Sequence, residues 1–222
     1  MTTPILFLSG AGLPAWIWDS VRAGLPVESR VAAHPGDDAP LSSYAEAALA
    51  TADGWDSFAV VAHSVGGVVA RALLAQAPER AASFVGIAAC VPEEGSSFLG
   101  TLPFPQRRLL GLVMRVVGTR PPAREIRDGL CRGVDAEHAE RIVQEFRPES
   151  QALYRDAVPA GAFPAASTYV LTTGDTQFAP RLQERFAARV GGEVVRVDTA
   201  HLPMLEQPDA LADVVVRATQ AS

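Results

Sequence analysis

The sequence predicts an α/β fold: a mainly parallel sheet with helices on both faces and a helical cap inserted between two of its strands. Short apolar runs without polar alternation recur along the chain, as expected of strands buried on both faces. Helix-compatible segments separate them, which implies right-handed crossovers between parallel strands. One long segment, residues 92–164, breaks this alternation with helical patches alone.

Ile5–Leu8 is the first apolar run, and it closes in the turn Ser9-Gly10-Ala11-Gly12. Trp16, Ile17, Trp18, Val21 and Leu25 follow at helical spacing, and Pro26 ends that helix. Residues 30–33 read as a second strand leading into His34-Pro35-Gly36-Asp37-Asp38. Ser42 or Ser43 can cap a helix over residues 45–52. A third strand, residues 58–62, runs through Ser64 into a helix that Pro78 terminates, with Arg71 breaking its apolar pattern. Residues 84–91, 168–172 and 193–197 are expected as the remaining strands, with helices over 180–190 and 208–219. The core is thus expected over residues 1–91 and 165–222, and the cap over 92–164. Cap helices are expected over 106–117, 124–131, 136–146 and 149–158, punctuated by Pro103, Pro105, Pro121, Pro122, Pro148 and Pro159. An insertion at the rim where strands end reads as a lid that binds substrate and excludes water.

With 222 residues, 48% of them hydrophobic, the chain can bury the core of one domain. A net charge of -6 argues against a nucleic-acid surface. Cys90 and Cys131 show neither C-x-x-C nor metal spacing, so no disulfide framework or zinc site is expected, and the reduced cytoplasm is the expected compartment. The N-terminal stretch lacks the basic region of a signal peptide, and no apolar run reaches bilayer length. The expected partner is a small-molecule substrate, without nucleic acid or membrane, in a monomer or homodimer.

The chemistry concentrates around Ala62-His63-Ser64-Val65-Gly66, a near match to the G-x-S-x-G nucleophile elbow. A strand entering a helix through one sharp turn forces its serine into a strained conformation and needs small residues two places either side. Ala62 and Gly66 supply them. A serine hydroxyl needs a base, and His201 is best placed, after the last strand and before the C-terminal helix. His63 is expected to be structural, because side chains adjacent in the turn diverge; His34 and His138 are expected to be solvated. Asp175, after the fifth strand, is expected to orient His201, giving the chain order Ser64, Asp175, His201. Its rivals are Asp37, Asp38, Glu93, Glu94 and Asp198, the last too close in sequence to reach behind His201. The oxyanion needs fixed N–H donors, for which Val65 and Ala11 are expected. No metal or organic cofactor is required.

On these residues the chain resembles the α/β-hydrolase superfamily, most of all small serine esterases of the methylesterase and hydroxynitrile-lyase branch. Ser9-Gly10-Ala11-Gly12 with Ala15-Trp16-Ile17-Trp18 resembles the H-G-A-x...A-W-x-W loop of that branch, and Ala62 to Gly67 its G-H-S-x-G-G elbow. Thr172-Thr173-Gly174-Asp175 resembles the acid loop, and residues 200–208 the histidine loop. The resemblance spans residues 5–216 and implies the α/β-hydrolase fold, here expected to begin at the strand the family numbers third, without its N-terminal hairpin. Ser9 stands where the family has histidine, which is expected to cost a loop hydrogen bond. Pro180 lies one place later than in many relatives. The implied activity is hydrolysis of an ester or related acyl bond of a small, largely apolar molecule through an acyl-enzyme. The alternatives are lyase, eliminase or cyclase chemistry at the same residues, then a catalytically dead binding protein. Arg107, Arg108, Arg115, Arg120, Arg124 and Arg127 of the cap read as a solvated helix face, and Phe98, Phe104, Leu110 and Met114 as core packing.

Overall fold

In the computed structural model, which describes residues 3–220, six strands form one sheet in the order β2-β1-β3-β4-β5-β6. They are β1 (Ile5–Leu8), β2 (Ser29–Val31), β3 (Phe58–His63), β4 (Ala81–Ile87), β5 (Ser167–Thr172) and β6 (Glu193–Val197), and every pairing is parallel. Met1 and Thr2, part of the stretch read as lacking a signal peptide, lie outside the described residues, as do Ala221 and Ser222. Strands β1, β3 and β5 are buried at every position, whereas the edge strands β2 and β6 are not.

Alternate side chains of each strand feed two cores. Leu6, Leu8, Val60 and Ala62 face one, and Ile5, Phe7, Ala59 and Val61 the other. The helices are α1 (Asp19–Ala23), α2 (Leu41–Thr51), α3 (Gly66–Gln76), α4 (Phe104–Val117), α5 (Ala136–Glu145), α6 (Gln151–Arg155), α7 (Pro180–Val190), α8 (Pro203–Glu206) and α9 (Pro208–Gln220). Helices α2, α3 and α7 cover the first core, and α1 and α9 the second. Helices α4 to α6 and a π-helical turn, Glu125–Leu130, make up the cap between β4 and β5, with no strand among the described residues there.

Several boundaries differ from the expected ones for local reasons. Strand β4 stops at Ile87 rather than running to residue 91, because Ala88 adopts φ 42 and turns the chain, so Cys90 leaves the sheet. Strand β2 covers Ser29–Val31 only. Neither Ser42 nor Ser43 caps α2, which starts at Leu41; the Leu41 N–H donates instead to Oδ2 of Asp156, 3.0 Å away at the end of α6. The last cap helix shrinks to Gln151–Arg155, with the Ser150 hydroxyl accepting from the Ala152 N–H. The exception in α3 also finds its reason: buried Arg71 donates to the carbonyls of Pro159 and Gly161, fastening the chain that returns from the cap to β5.

Candidate active site

The turn at Ser64 is built by backbone. Ser64 has φ 53, a left-handed conformation that costs a non-glycine residue about 1–3 kcal/mol. Its N–H donates to Ile87 O at 3.2 Å, and its carbonyl accepts from Gly67 and Cys90 N–H groups at 3.1 and 2.8 Å. A Cβ on Gly66 would collide with the Leu8 carbonyl, and one on Gly67 with the Cys90 carbonyl, so both positions require glycine. Ala62, fully buried, pairs with Gly86 of β4 on one side and Leu8 of β1 on the other.

This turn presents Ser64 to the expected partners. His201 Nε2 lies 3.0 Å from Ser64 Oγ, and Nδ1 lies 2.7 Å from Asp175 Oδ2. Ser64 is half-buried, while His201 and Asp175 are buried. Burial alone would raise the Asp175 carboxyl. The hydrogen bond and charge of His201, with the N–H groups of Phe178 and Gln177, outweigh it and hold the group below its ordinary range. Those two N–H groups donate to Oδ1 at 3.0 and 2.7 Å, while Thr172 Oγ1 and Gln183 Nε2 donate to Oδ2 at 3.0 and 3.2 Å. Gln183, fully buried on α7, was not singled out in the sequence; nothing in its local pattern separates it from a solvated helix position.

His63 is structural, as expected. Its Nε2–H donates to the His201 carbonyl at 2.8 Å, fixing the loop that carries the imidazole. Its Nδ1 packs against Gly10, where a Cβ would lie 2.8 Å away. Burial, then the neighbouring His201 ring, push the His63 pKa down to about 3. Unfolded, the ring titrates near ~6.5, so between these values the unfolded chain binds a proton that the folded one refuses. Stability therefore falls as pH drops from about 6.5 toward 3, by up to ~1.4 kcal/mol per pH unit from this group. Urea midpoints measured across that range should show His63→Gln with a shallower acid limb than the parent; an identical slope would move the effect to other groups.

The rival carboxylates lie elsewhere. Asp37, Asp38, Glu93 and Glu94 are exposed, Glu93 pairs with Arg189, and Asp198 accepts from Thr173 Oγ1 at 3.0 Å. His138 is exposed beside Asp135 and stacks on Trp16. His34 departs from its expected solvated role: its Nε2 sits 2.7 Å from Glu149 Oε2, a carboxylate oxygen that also accepts from Tyr44 Oη at 2.7 Å. The other oxygen of Glu149 accepts from the Gly12 N–H at 2.9 Å, so a cap residue grips the loop after β1. Ser9 is not the loss it promised to be, since its hydroxyl accepts from Trp18 Nε1 at 3.0 Å and the loop keeps a hydrogen bond.

A cavity of about 770 Å³ adjoins the elbow through Val65, Gly10 and Gly12. Its wall mixes apolar side chains (Leu8, Leu13, Val31, Val69, Leu153) with polar ones (Ser9, His34, Tyr44, Glu145, Arg147, Glu149); Ser64 and His201 are not on it. Among the described residues, no group of three or more His, Cys, Asp or Glu side chains could hold a metal ion.

Residues 5–214 match the family model described as Alpha/beta hydrolase family. Among solved structures, the chain is similar to an extracellular alpha/beta-hydrolase from a Paenibacillus species, at TM-score 0.81 and 16% identity over 98% of this chain and 99% of that one. It is similar to a methylesterase from Arabidopsis at TM-score 0.77 and 17% identity, covering 100% of both chains. A pyrethroid hydrolase from Sphingobium faniae matches at TM-score 0.74 and 18% identity, over 99% and 98% of the two chains. No curated protein matches the sequence.

Proposed function

The chain belongs to the alpha/beta hydrolase family, and from that premise we propose that it is a serine esterase that cleaves a small, largely apolar ester through an acyl-enzyme. The observation that carries this reading is the continuous Ser64–His201–Asp175 hydrogen-bonded chain. With its Nδ1 proton held by Asp175, His201 offers a free Nε2 lone pair to the Ser64 hydroxyl. Ser64 Oγ attacks the carbonyl carbon as His201 takes its proton, and Asp175 stabilises the resulting imidazolium. We assign the oxyanion to the Ala11 and Val65 N–H groups. In support, neither N–H donates to an acceptor among the described residues. His201 then protonates the leaving alcohol, and water attacks the acyl-enzyme with His201 again as base.

The cavity beside Val65 and Gly10 supports a small-molecule substrate, whose apolar part would lie on Leu8, Leu13, Val31, Val69 and Leu153, and we take residues 92–164 as the cap over a core of 1–91 and 165–222. The finer likeness to the methylesterase and hydroxynitrile-lyase branch is supported by the Ser9–Gly12 loop with Trp16 and Trp18. The test is turnover of short-chain aryl esters, with a pre-steady-state burst of one alcohol per chain and an acyl adduct on the intact protein by mass spectrometry. If a panel of esters and thioesters is left untouched while an active-site fluorophosphonate still reacts, lyase, eliminase or cyclase chemistry replaces hydrolysis. If the fluorophosphonate does not react either, the chain is a binding protein.

A further inference from the structure

Helix α4 carries an apolar face that no described residue of the chain covers. Leu109, Leu112, Val113, Val116 and Val117 recur at i, i+3, i+4, i+7 and i+8 and are 44% to 76% exposed, an amphipathic stripe turned outward. The opposite side, Gly111 and Met114, is buried against the protein. Phe104, expected in the core, is also exposed at the start of the helix, on the arginine side rather than on the stripe, with the Arg107 and Arg108 guanidiniums 5.7 and 5.0 Å from its ring centre.

The charges flanking this stripe are all of one sign. Helix α4 holds Arg107, Arg108 and Arg115 and no acidic residue, in a chain whose net charge is -6. Together with Arg155 of α6, the three line a shallow cleft of about 430 Å³ with Ser97, Leu99, Gly111 and Leu112, and no carboxylate is on its wall. Among the described residues, none of the four is ion-paired; Arg155 donates to the Gly111 carbonyl.

We propose that α4 docks on an anionic phospholipid surface. Its stripe enters the boundary between headgroups and acyl chains, and Arg107, Arg108, Arg115 and Arg155 engage lipid phosphate oxygens. Exposed apolar area supplies attraction to any bilayer, and the unpaired arginines select the anionic one. A second copy of the chain is the poorer occupant, because a matching α4 brings no acid to pair with these arginines. The expectation of no membrane partner rested on the lack of a spanning run. A helix of 14 residues lying flat needs none, and no described helix is long and apolar enough to cross a bilayer. This inference does not depend on the role of Ser64.

Vesicle flotation of the full chain tests it, comparing phosphatidylcholine alone with a mixture containing about one-third phosphatidylglycerol. With four arginines at roughly 1 kcal/mol each near the surface, the mixture should bind on the order of 1,000-fold more tightly, and salt at about 0.5 M should erase most of the difference. Two variants, R107Q/R108Q/R115Q and L109D/V116D, should each lose that binding; thermal midpoints equal to the parent's, expected for exposed positions, establish that both fold. No difference between the two vesicle types overturns the proposal. So does binding that survives L109D/V116D but is competed away by inorganic phosphate, which would make the cleft a simple anion site. A lipid-free dimer by analytical ultracentrifugation, abolished by L109D/V116D, with no vesicle binding, would assign the face to a second copy.

Discussion

Ser64→Ala should fold like the parent, hydrolyse no ester above background and take no fluorophosphonate label. The side chain removed is half-buried and makes one hydrogen bond, to His201, so the stability change should stay within about 1.5 kcal/mol. The left-handed backbone at φ 53 strains alanine and serine alike, so the elbow itself is unchanged. Activity, by contrast, should fall by a factor on the order of 10⁶ in kcat, since no other group can form the acyl bond. Gel fluorescence of the labelled protein and single-turnover kinetics read the two effects separately. Labelling of the variant at the parental rate would place the nucleophile at another residue.

Asp175→Asn should lower kcat by about 10⁴ while leaving KM nearly unchanged. The surrounding donors dictate why. Gln177 and Phe178 N–H groups hold one oxygen, so the amide that replaces the carboxylate must keep its oxygen there and turn its NH2 toward His201 Nδ1. That NH2 meets the nitrogen where a proton now sits, and His201 must move the proton to Nε2. An imidazole protonated at Nε2 cannot accept from Ser64, so the base is disabled without being displaced. Asp37→Asn, Asp38→Asn and Glu93→Gln, all at exposed positions, should stay within about twofold of the parent. A larger loss in any of these than in Asp175→Asn would reassign the orienting acid. The carboxylate's lowered pKa also has a stability sign. Its contribution is whole above the unfolded value of ~3.9 and is lost as pH falls through the folded one.

The sheet was readable from the chain because β1 and β3 are buried on both faces, leaving short apolar runs that end in turn residues, and β5, rich in Thr, Tyr and Val, reads as strand by composition. The triad was readable because parallel strands all end on one rim, so a serine, an acid and a histidine that each follow a strand must converge. What escaped notice depends on partners distant in sequence. The acceptor for the Leu41 N–H is 115 residues away, and Tyr44 meets Glu149 across 105. No periodicity encodes such pairs. On helix α4 the reading failed at Phe104 alone, which is exposed, whereas Met114 is buried and Leu110 packs against the core; an apolar residue has the same local pattern on either side, and only the packing of Gly111 and Met114 tells which side is in.

The bond from the Gly12 N–H to Glu149 ties the cap to the loop on which the assigned oxyanion donor, Ala11, is carried. Phe146, three residues earlier in the cap, fills the space where a Cβ on Gly12 would be, so the loop is held by contact as well as by charge. Lifting this corner of the cap breaks both restraints at once. The aim of the Ala11 N–H is therefore a property of the seated cap as much as of its own loop, as a buttress holds an arch it is not part of.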